Sequence, residues 1–537
     1  MSAQAYAAPV TGPAPVSAPG RDTGHDPRTG TAHPEVPHTS PEEVARIVAA
    51  AAGSAPLIAS TAPAVRAQWL EAIATSMEEH AHELVTLADA ETALGEARLV
   101  GELAKTAASL RFYGTVALDG GFLQATIDIT GDPAPLDLRR TRLPVGPVAV
   151  FAASNFPFAF GVLGHDTGSA IAAGCPVVVK IHSAQPRLGV RLGEIARAAA
   201  AQSGAPAGLF AVVAGRAAGL TLVDAAPIAA VAFTGSQPGG MALVQRASQR
   251  PRPIPVFAEM GTVNPAVVTP AAARLRMGEI AQGFAASFMM GTGQFCTKPG
   301  LLFAPAGSGA SGQVAAALGN LPAGWLLTEA MAGDYSRGRT SLVGAGAQVA
   351  GEGNSHPAGF AAVPTVFTAR VEDLTPGSPL LEECFGPAAV VVEYADLDQL
   401  REVLARLQPS LAAAVASAGA DDADLPWLVQ LLSGQVGRVD VDGWPTGVVN
   451  SWAQNHGGPW PATSRPDATS VGAAALDRFT RPVAFQGTAD SALPPALQAA
   501  NPWAVPRRVN GRPQPVTADE TDRARAGAPH RAQTGWS

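Results

Sequence analysis

From Val145 onward, short apolar runs alternate with segments of helical periodicity, and this alternation leaves few possible folds. The runs of the first series are VAVF (148–151), PVVVK (176–180), LFAVVAG (209–215) and AAVAFTG (229–235). Helical patterns fill the gaps near 160–173, 187–203 and 238–248. Because a helix between two strands makes those strands parallel and covers one face of their sheet, the pattern predicts a parallel sheet with helices on both faces.

A second series of apolar runs follows Glu259. Its members are PAVV (265–268), LLF (301–303), AAVVVEY (388–394), LAAAVAS (411–417) and VGRVDVD (436–442). Two α/β domains in tandem are the simplest interpretation of the two series. The length of 537 residues exceeds what one ordinary core accommodates and predicts roughly three domains or subdomains.

The two ends of the chain depart from this pattern. Residues 1–38 lack apolar periodicity and predict a disordered tail, and residues 491–537 predict a peripheral C-terminal tail. Order is expected to begin at Ser40, Pro41 and Glu43, which have the spacing of a helix capping box with proline at its first position. Helical periodicity over 65–94 and 101–118 predicts that the first third is mostly helix.

The composition excludes several classes of protein. A net charge of −8 and a pI near 5.7 leave no basic surplus for phosphates, so no nucleic-acid partner is expected. The three cysteines are far apart in sequence, which predicts neither a metal site nor a disulfide framework. The N-terminus has no signal-peptide pattern, and the prolines and glycines of the uncharged stretch 144–164 do not suit a membrane span. We therefore expect a soluble cytoplasmic protein without a membrane partner.

One of the cysteines, Cys296, lies in the turn-forming stretch GTGQFCTKPG (291–300), directly after a helical pattern. Flanking glycines let the backbone come close to a ligand, so Cys296 is a candidate nucleophile. An inert buried cysteine is the competing interpretation, and packing roles are expected for Cys175 and Cys384. A catalytic Cys296 requires a base, an oxyanion donor and a cofactor site elsewhere in the chain.

Polar and glycine residues follow several of the predicted strands, where ligands gather in open parallel sheets. They are Asn155 after VAVF, Lys180 at the end of PVVVK, Gly235 and Ser236 after AVAFT, Glu259 after IPVFA, and Glu383 and Phe385 before AAVVVEY. Each has an ordinary interpretation as a turn residue or a solvated side chain. Their occurrence at one edge of two sheets predicts a shared site.

Six motifs occur in a fixed order: SNFPF, PVVVK, FTGS, EMG, GQFC and EECFGP. Over roughly residues 40–488 they resemble the aldehyde dehydrogenase superfamily. The longer stretches ASNFPFAFGVLGHDTGSAIAAGCPVVVK, GTGQFCTKPG and HGGPWPATS are most similar to the branch of 2,5-dioxovalerate (α-ketoglutarate semialdehyde) and NADP-dependent fatty-aldehyde dehydrogenases.

The resemblance implies an α/β fold of two doubly wound Rossmann-like domains with a small β-sheet arm. Residues 39–125 and 145–258 would form the dinucleotide-binding domain, and 259–440 the catalytic domain. The segments 126–144 and 474–490 would form an oligomerisation arm, which implies a homodimer or homotetramer.

The resemblance also implies a mechanism. Cys296 would attack the aldehyde as a thiolate, while the Asn155 side chain and the Cys296 backbone N–H stabilise the oxyanion. After hydride transfer to a nicotinamide, Glu259, with its pKa tuned toward neutrality, would activate the water that hydrolyses the thioester.

A cofactor site is implied as well. Lys180 would reach the adenosine ribose, while Gly235 and Ser236 would approach the pyrophosphate at a helix start. Glu383 would hold the nicotinamide ribose, with Phe385 packed beside it.

Cofactor choice is predicted from a departure from the family pattern. NAD-preferring relatives have a glutamate three residues after the lysine, where this chain has Ser183. A neutral hydroxyl removes repulsion against a 2′-phosphate, and Arg216 is a candidate partner for that phosphate. We therefore expect NADP to be preferred, or accepted beside NAD.

Several alternatives remain open at this stage. A CoA-acylating aldehyde dehydrogenase or a catalytically silent scaffold member would also have this fold, although Glu259 speaks against the first and the intact site residues against the second. The predicted lining loops FPFAFGVLGHD and GWPTGVV are apolar and contain no evident arginine, so a medium or long-chain aldehyde and a keto-acid semialdehyde are both possible substrates.

Three residues near the predicted site have no assigned role. Lys298 could lower the pKa of Cys296 or could simply face water. His165 and His456 have no evident partner in the sequence and are expected to be core or loop histidines.

Overall fold

The computed structural model describes residues 20–131, 136–322 and 324–517. Within these residues the α-helices are α1 (Pro41–Ser60), α2 (Pro63–Glu79), α3 (Ala81–Thr92), α4 (Glu96–Asp119), α5 (His165–Ala173), α6 (Pro186–Gln202), α7 (Arg216–Asp224), α8 (Gln237–Ser248), α9 (Pro270–Met289), α10 (Ala310–Leu318), α11 (Glu329–Gly344), α12 (Leu397–Leu404) and α13 (Leu425–Ser433). Helix α1 begins as predicted, because the Glu43 backbone N–H donates to the Ser40 hydroxyl at 3.2 Å.

The first sheet has five parallel strands. In spatial order they are β7 (Phe210–Val213), β6 (Val177–Lys180), β5 (Val148–Phe151), β8 (Ala230–Gly235) and β9 (Val256–Met260). The chain builds outward from β5 in one direction and then resumes on its other side at β8. The crevice between the carboxyl ends of β5 and β8 is therefore the switch point at which ligands bind in such sheets.

The second sheet has seven strands. In spatial order they are β12 (Gln348–Glu352), β13 (Thr365–Ala369), β14 (Ala388–Tyr394), β11 (Leu301–Pro305), β10 (Pro265–Val268), β15 (Ser410–Ala416) and β16 (Val436–Val441). Only the pairing of β12 with β13 is antiparallel among these strands. Two parallel sheets of mostly buried Val, Ala, Leu and Phe confirm the predicted α/β fold.

The predicted helix at 160–173 begins later, at His165. Residues 156–164 form tight turns instead, and a Cβ on Gly161 would lie 1.8 Å from the Pro157 carbonyl oxygen. The sequence FPFAFGVLG has apolar residues at helical spacing, but proline and close backbone packing favour the turn. This turn becomes one wall of the candidate site.

A third sheet contains the segments predicted as an arm. Its order is β17 (Thr480–Gln486), β4 (Leu136–Pro144), β3 (Ala125–Thr130), β18 (Arg507–Val509) and β19 (Arg512–Gln514). The prediction of a peripheral tail from residue 491 is wrong for the described part, 491–517. Strand β18 pairs with β3, and Leu493, Leu497 and Val505 are buried in the core of the first domain. Residues 518–537 lie outside the described residues.

The predicted disordered tail is also wrong for residues 20–38, whereas residues 1–19 lie outside the described part of the chain. Strand β1 (Arg21–Asp22) pairs with β2 (Val36–Pro37), and Arg28 holds the Asp89 carboxylate through two hydrogen bonds of 2.8 and 2.9 Å. Polar contacts hold this segment in place, so a search for apolar periodicity does not detect that the segment is ordered.

The predicted boundary between the domains at residue 259 falls inside an element. Glu259 lies within β9, where it pairs with Thr234 of β8 in the first sheet. The chain leaves that sheet after Met260 and starts the second sheet at Pro265.

Helix α1 has the length and hydropathy of a membrane span, with a mean hydropathy of 1.2. Its buried residues Val44, Val48 and Ala51 pack into a core cluster of the first domain, and it contains Pro56. We interpret α1 as a surface helix of this domain.

Candidate active site

Cys296 is positioned by a loop with an unusual backbone conformation. After α9 the backbone turns through positive φ values at Gly291, Thr292 and Gly293. A Cβ on Gly293 would lie 2.1 Å from the Gly386 carbonyl oxygen, so the loop packs against the EECFGP segment with no room for a side chain. The predicted nucleophile therefore lies between the two sheets.

Two buried groups face the Cys296 thiol. The Sγ atom lies 3.5 Å from Nε2 of His456, and the same Nε2 lies 2.8 Å from Oε1 of Glu259. A single imidazole N–H can point at only one of these neighbours, so the three side chains form one coupled group. Burial and the Glu259 carboxylate raise the pKa of Cys296 well above its ordinary value, so the free thiol is protonated at neutral pH.

Glu259 is 4% exposed and lies at the end of β9. The Ser470 hydroxyl donates to its Oε2 at 2.5 Å. Burial alone would raise the pKa of Glu259, but the contacts with His456, Ser470 and Cys296 outweigh it and lower the pKa below its ordinary value. Glu259 is therefore ionised here, whereas the resemblance suggested a pKa tuned toward neutrality.

His456 is the main site residue that sequence reasoning missed. It is 2% exposed, and its backbone N–H donates to Thr469 Oγ1 at 2.8 Å. Its ring packs 5.8 Å from that of Phe160. A signal was available, because HGGPWPATS was one of the stretches that carried the resemblance. Nothing in the sequence, however, connects that stretch with Cys296.

Asn155 lies in the loop after β5. Its side-chain Nδ2 donates to the Gln294 carbonyl at 2.9 Å, which places the amide against the backbone that leads to Cys296. The Asn155 backbone carbonyl accepts from Arg98 Nη2 at 2.7 Å. The structure thus brings together Asn155, Glu259 and Cys296, which the sequence predicted as the catalytic set.

Both interpretations of Lys298 are wrong. Its side chain is 2% exposed, and its ammonium donates to the carbonyls of Cys384, Gly386 and Ala388 at 2.8, 3.2 and 2.9 Å. The ammonium neither faces water nor contacts the thiol, because Lys298 leads into β11, whose neighbour is β14. Lys298 therefore fixes the loop that precedes β14.

That loop carries two predicted cofactor residues, Glu383 and Phe385. Burial raises the pKa of Glu383 to about 7 although Lys298 opposes the shift. Its Oε1 is buried without a hydrogen-bond partner among the described residues, and a Cβ on Gly261 would lie 2.0 Å from its Oε2. Gly261 in turn donates its N–H to the Gly235 carbonyl at 3.1 Å. The unmet acceptor at Glu383 and the small residues beside it fit a ribose with its hydroxyl donors.

Ser236 begins α8, as the resemblance implied. Its hydroxyl accepts the Gly239 N–H at 3.3 Å and so caps the helix, while Gly235 precedes it at the exposed end of β8. The helix N-terminus is thus open toward the switch point, which suits a pyrophosphate.

Of the three predicted residues Lys180, Ser183 and Arg216, Lys180 lies near an acidic residue, Asp22, that the sequence did not place there. Ser183 and Arg216 are exposed, and Lys180 is half-buried. Burial lowers the pKa of Lys180, Arg216 adds to the shift and Asp22 opposes it. Asp22 accepts from His38 Nε2 at 2.9 Å, and its other carboxylate oxygen is buried without a hydrogen bond among the described residues.

A cavity of about 740 Å³ leads to Cys296. Phe112, Phe156, Phe160, Met290, Val448 and Val449 provide most of its apolar wall. Arg98, Glu102 and Lys105 of α4 line it as well, so the cavity has an arginine that the two predicted lining loops lack. The sequence-based expectation considered the loops alone, whereas these charges come from a helix distant in sequence.

The Arg98 guanidinium packs against two aromatic rings, but not all of its hydrogen-bond donors are used. Its guanidinium lies 5.2 Å from the ring of Phe156 and 5.0 Å from that of Phe295. Nη1 makes no hydrogen bond among the described residues, and Glu102 Oε2 is 4.0 Å from Nε. Burial raises the pKa of Glu102, which weakens its charge. Lys105 is exposed and forms no ion pair within the described chain.

The trio of Glu259, Cys296 and His456 also has the donor atoms of a metal site. A ligand atom of Glu259, Cys296 and His456 each lies within 4.8 Å of the other two. Thiolate, imidazole and carboxylate are donors that Zn²⁺ accepts. The composition of the sequence predicted no metal site because these residues are far apart in the chain.

Comparison with known proteins agrees with this geometry. Residues 20–459 match the aldehyde dehydrogenase family. The chain is 44% identical over 461 residues to alpha-ketoglutaric semialdehyde dehydrogenase 2 of Azospirillum brasilense, covering 84% of this chain and 87% of that protein. It is 40% identical over 458 residues to alpha-ketoglutaric semialdehyde dehydrogenase of Acinetobacter baylyi, covering 83% of this chain and 86% of the relative.

Solved structures show the same fold at lower identity. PnpE in complex with nicotinamide adenine dinucleotide has a TM-score of 0.76 at 21% identity, covering 87% of this chain and 94% of PnpE. An NADP-dependent enzyme of E. coli has a TM-score of 0.75 at 23% identity, covering 87% of this chain and 94% of that enzyme. The chain therefore belongs to the aldehyde dehydrogenase family and is an oxidoreductase that oxidises an aldehyde to the acid with a nicotinamide dinucleotide.

Proposed function

We propose that this enzyme oxidises a semialdehyde that carries a carboxylate, such as α-ketoglutaric semialdehyde, to the corresponding diacid. The observation that carries the proposal is the pair of cations, Arg98 and Lys105, on the wall of the cavity that ends at Cys296. A carboxylate at the far end of the substrate would be attracted to them while the aldehyde reaches the thiol. The names of the two most similar relatives quoted above support the same substrate class.

The charges of the cavity favour an anion. Glu102 offsets part of the positive charge, but its Oε1 already accepts the backbone N–H groups of Phe158 and Ala159 at 2.9 and 3.1 Å. Arg98 keeps unused donor capacity at Nη1, and Lys105 has its whole ammonium free of ion pairs among the described residues. A carboxylate hydrogen-bonded to a cation in a largely apolar site typically contributes about 1.5–3 kcal/mol.

A second candidate substrate is a medium or long-chain aldehyde. The cavity is larger than a five-carbon acid needs, and most of its wall is aromatic or aliphatic. An acyl chain could occupy that volume and bury apolar surface. The two candidates differ in charge, which makes them separable by experiment.

We propose the following roles for the trio. As Cys296 Sγ attacks the carbonyl carbon, its proton passes to His456 Nε2, while the proton already on that nitrogen moves to the ionised Glu259 carboxylate and on to solvent. The Asn155 amide and the Cys296 backbone N–H donate to the new oxyanion. The nicotinamide, when bound, accepts the hydride, which leaves a thioester on Cys296.

Hydrolysis of the thioester follows from the same arrangement. Glu259, directly or through His456, takes a proton from a water molecule that attacks the thioester carbon, and the thiolate that leaves recovers a proton. The overall reaction consumes one aldehyde, one NAD(P)⁺ and one water. A buried base beside the sulfur supports hydrolysis over transfer to CoA, and an ordered trio supports catalysis over a silent scaffold role.

For the cofactor we propose that NADP is accepted. Ser183 and Arg216 support this, since a hydroxyl and a guanidinium can both donate to a 2′-phosphate. The carboxylate of Asp22 near Lys180 opposes it, so NAD should be used as well. Values of kcat/KM for both cofactors, with Ser183→Glu beside the unmodified enzyme, test this part. Exclusive use of NAD by the unmodified enzyme would contradict it.

We further propose a homodimer or homotetramer that assembles through the third sheet, in the cytoplasm. The outer strand β17 is a candidate pairing edge. The three free cysteines, including the reactive one, suit a reducing compartment. Light scattering coupled to gel filtration tests the assembly, and a monomer at micromolar concentration would contradict it.

A panel of aldehydes tests the substrate. We would compare 5-oxopentanoate with pentanal, which differ by the carboxylate, and add α-ketoglutaric semialdehyde and decanal, each with both cofactors. Cys296→Ala is the control for thiol-dependent turnover. The proposal predicts that kcat/KM for 5-oxopentanoate exceeds that for pentanal by about tenfold or more. Equal values, or a clear preference for decanal, would overturn it.

A further inference from the structure

Three atoms with metal-binding lone pairs converge beside the cavity. They are Sγ of Cys296, Nε2 of His456 and a carboxylate oxygen of Glu259, all within 4.8 Å of one another. They come from three different parts of the chain, namely the loop after α9, the segment after β16 and strand β9. The fold, and not a local sequence motif, creates this set of donors.

The carboxylate oxygen of this set already has polar neighbours. Glu259 is 4% exposed, and its Oε2 accepts from Ser470. Its Oε1 lies 2.8 Å from Nε2 of His456, and the Cys296 thiol also contacts the carboxylate. A buried carboxylate oxygen normally has a donor or a cation beside it. A cation held between the three atoms would take the place of the protons that now lie between them.

The sulfur–nitrogen separation suits a tetrahedral ion. With typical bonds of about 2.3 Å to sulfur and about 2.0 Å to nitrogen, the sulfur and nitrogen of a zinc site lie about 3.5 Å apart. The Sγ–Nε2 distance here is 3.5 Å. Nitrogen and oxygen ligands would lie about 3.3 Å apart, so Oε1 would move by about 0.5 Å from its 2.8 Å contact. Thiolate, imidazole and carboxylate together match the donor preferences of zinc and exclude magnesium and calcium as good occupants.

We propose that Cys296, His456 and Glu259 bind one Zn²⁺ ion, and that this ion reversibly inhibits the enzyme. Binding converts the Cys296 thiol to a thiolate and releases its proton to solvent, and the His456 ring proton moves to Nδ1 so that the neutral ring binds through Nε2. Cys296 and Thr297 line the cavity, so a water molecule from the cavity can occupy the fourth position. The inhibition rests on the proposed role of Cys296 as nucleophile, but the binding of the ion does not.

The ion would act by occupying the reactive sulfur. Coordination to zinc lowers the nucleophilicity of the thiolate toward an aldehyde, and the same ion occupies the base atoms of Glu259 and His456. Zinc should also protect the thiol from alkylating reagents. Cys384, a half-buried thiol outside the trio, would gain no such protection.

Cobalt provides a readout that does not depend on activity. The full-length, metal-free protein is titrated with Co²⁺, and binding should produce a thiolate-to-cobalt charge-transfer band and the strong visible absorption of a tetrahedral site. Zn²⁺ should displace the cobalt at one ion per chain. The rate of aldehyde oxidation should fall in proportion to the fraction of chains that bind zinc, and EDTA should restore the activity.

Variants then locate the site. His456→Asn should lower the affinity for zinc by at least about 100-fold. Loss of a residue that only contacts a ligand from the outer shell lowers metal affinity by about 100-fold at most. Glu259→Gln provides a second ligand change should the first variant fold poorly, which circular dichroism would show. Cys384→Ser is the matched control and should bind zinc with unchanged affinity.

The outcomes separate the two proposals. No cobalt–thiolate band, or equal zinc affinity in the His456 and Glu259 variants, would overturn the zinc site even in an active enzyme. If the unmodified protein shows the cobalt–thiolate band and both variants lack it, the zinc site is supported. This holds even for a preparation that oxidises no aldehyde. Zinc bound with unchanged affinity by Cys296→Ala would be a surface site and would also overturn the proposal.

Discussion

The imidazole Nε2 of His456 lies 2.8 Å from Oε1 of Glu259 and 3.5 Å from Sγ of Cys296. The imidazole therefore stands between the predicted base and the predicted nucleophile. Proton transfer between sulfur and carboxylate then has a direct route through one ring. This relationship gives the first prediction.

Replacing His456 with Asn should lower kcat/KM by about 10²–10⁴-fold, the usual contribution of a general acid–base group. The amide has no basic nitrogen to accept the thiol proton. Stopped-flow and steady-state assays across pH measure the effect, and the variant should recover part of its rate at alkaline pH, where the thiol ionises without help. His356→Asn, a change at the surface ring stacked on Trp325, is the control and should be neutral. An unchanged pH profile in His456→Asn would refute the relay.

Arg98→Met should act on charged substrates alone. It removes the guanidinium beside Phe156 and Phe295 but keeps much of the apolar volume. We expect kcat/KM for 5-oxopentanoate to fall by about 10–100-fold and that for pentanal to change little. Arg111→Met, on the solvent side of the same helix, where it pairs with Glu71 and Glu78, is the matched control. Equal losses for both aldehydes would mean that Arg98 is only structural.

The alkylation rate of Cys296 should depend on the Glu259 charge. Burial raises the pKa of Cys296 first, and the nearby carboxylate raises it further by disfavouring a second negative charge. The thiolate fraction therefore increases with pH beyond the ordinary thiol pKa of about 8.5. Glu259→Gln removes the repulsion, lowers the pKa of Cys296 and should speed alkylation by iodoacetamide at pH 8.

Glu102→Gln is the control for that measurement. Glu102 is another buried carboxylate on the cavity wall, whereas the carboxylates that raise the pKa of Cys296 are Glu259 and Glu383. Slower alkylation in Glu259→Gln than in the unmodified enzyme would mean that the carboxylate does not raise the pKa of Cys296.

Lys298→Met should destabilise the fold. The change leaves three buried carbonyl oxygens, of Cys384, Gly386 and Ala388, without their donor. We expect the free energy of unfolding to fall by about 2–4 kcal/mol, measured by chemical denaturation. The cofactor should also bind more weakly, because Glu383 lies on the same loop. Lys105→Met, at an exposed site, should change stability by less than about 0.5 kcal/mol.

Asp22→Asn should move cofactor preference toward NADP. The carboxylate affects Lys180, which is predicted to reach the adenosine ribose, and a 2′-phosphate would bring further negative charge there. Removing one charge is worth about 1 kcal/mol in a hydrated site, or about fivefold in the ratio of kcat/KM values for the two cofactors. Asp26→Asn, in the same N-terminal segment, is the comparison variant. A ratio that stays constant in Asp22→Asn would place the carboxylate outside the cofactor site.

The sequence by itself determined the α/β fold and the positions of most strands of its two parallel sheets. Runs such as VAVF and AAVVVEY are apolar on both faces, and only a sheet covered by helices buries both faces. The motifs also selected Cys296, Glu259 and Asn155: Glu259 and Asn155 end or follow such a strand, and Cys296 lies in a glycine-rich loop after a helix. Local signals sufficed there, since strand ends at a switch point converge whatever the loops do.

Only the tertiary structure decided what surrounds the thiol. His456, Arg98 and Asp22 reach the site from segments that sequence separates widely, and no periodicity encodes such an approach. Lys298 is an example of what the sequence does not reveal. It lies two residues from Cys296 in sequence, but its side chain points away from the thiol and donates to carbonyl groups of another loop. The physical reason is that a buried charge must be paired or hydrogen-bonded, and the tertiary structure determines which polar groups lie within reach.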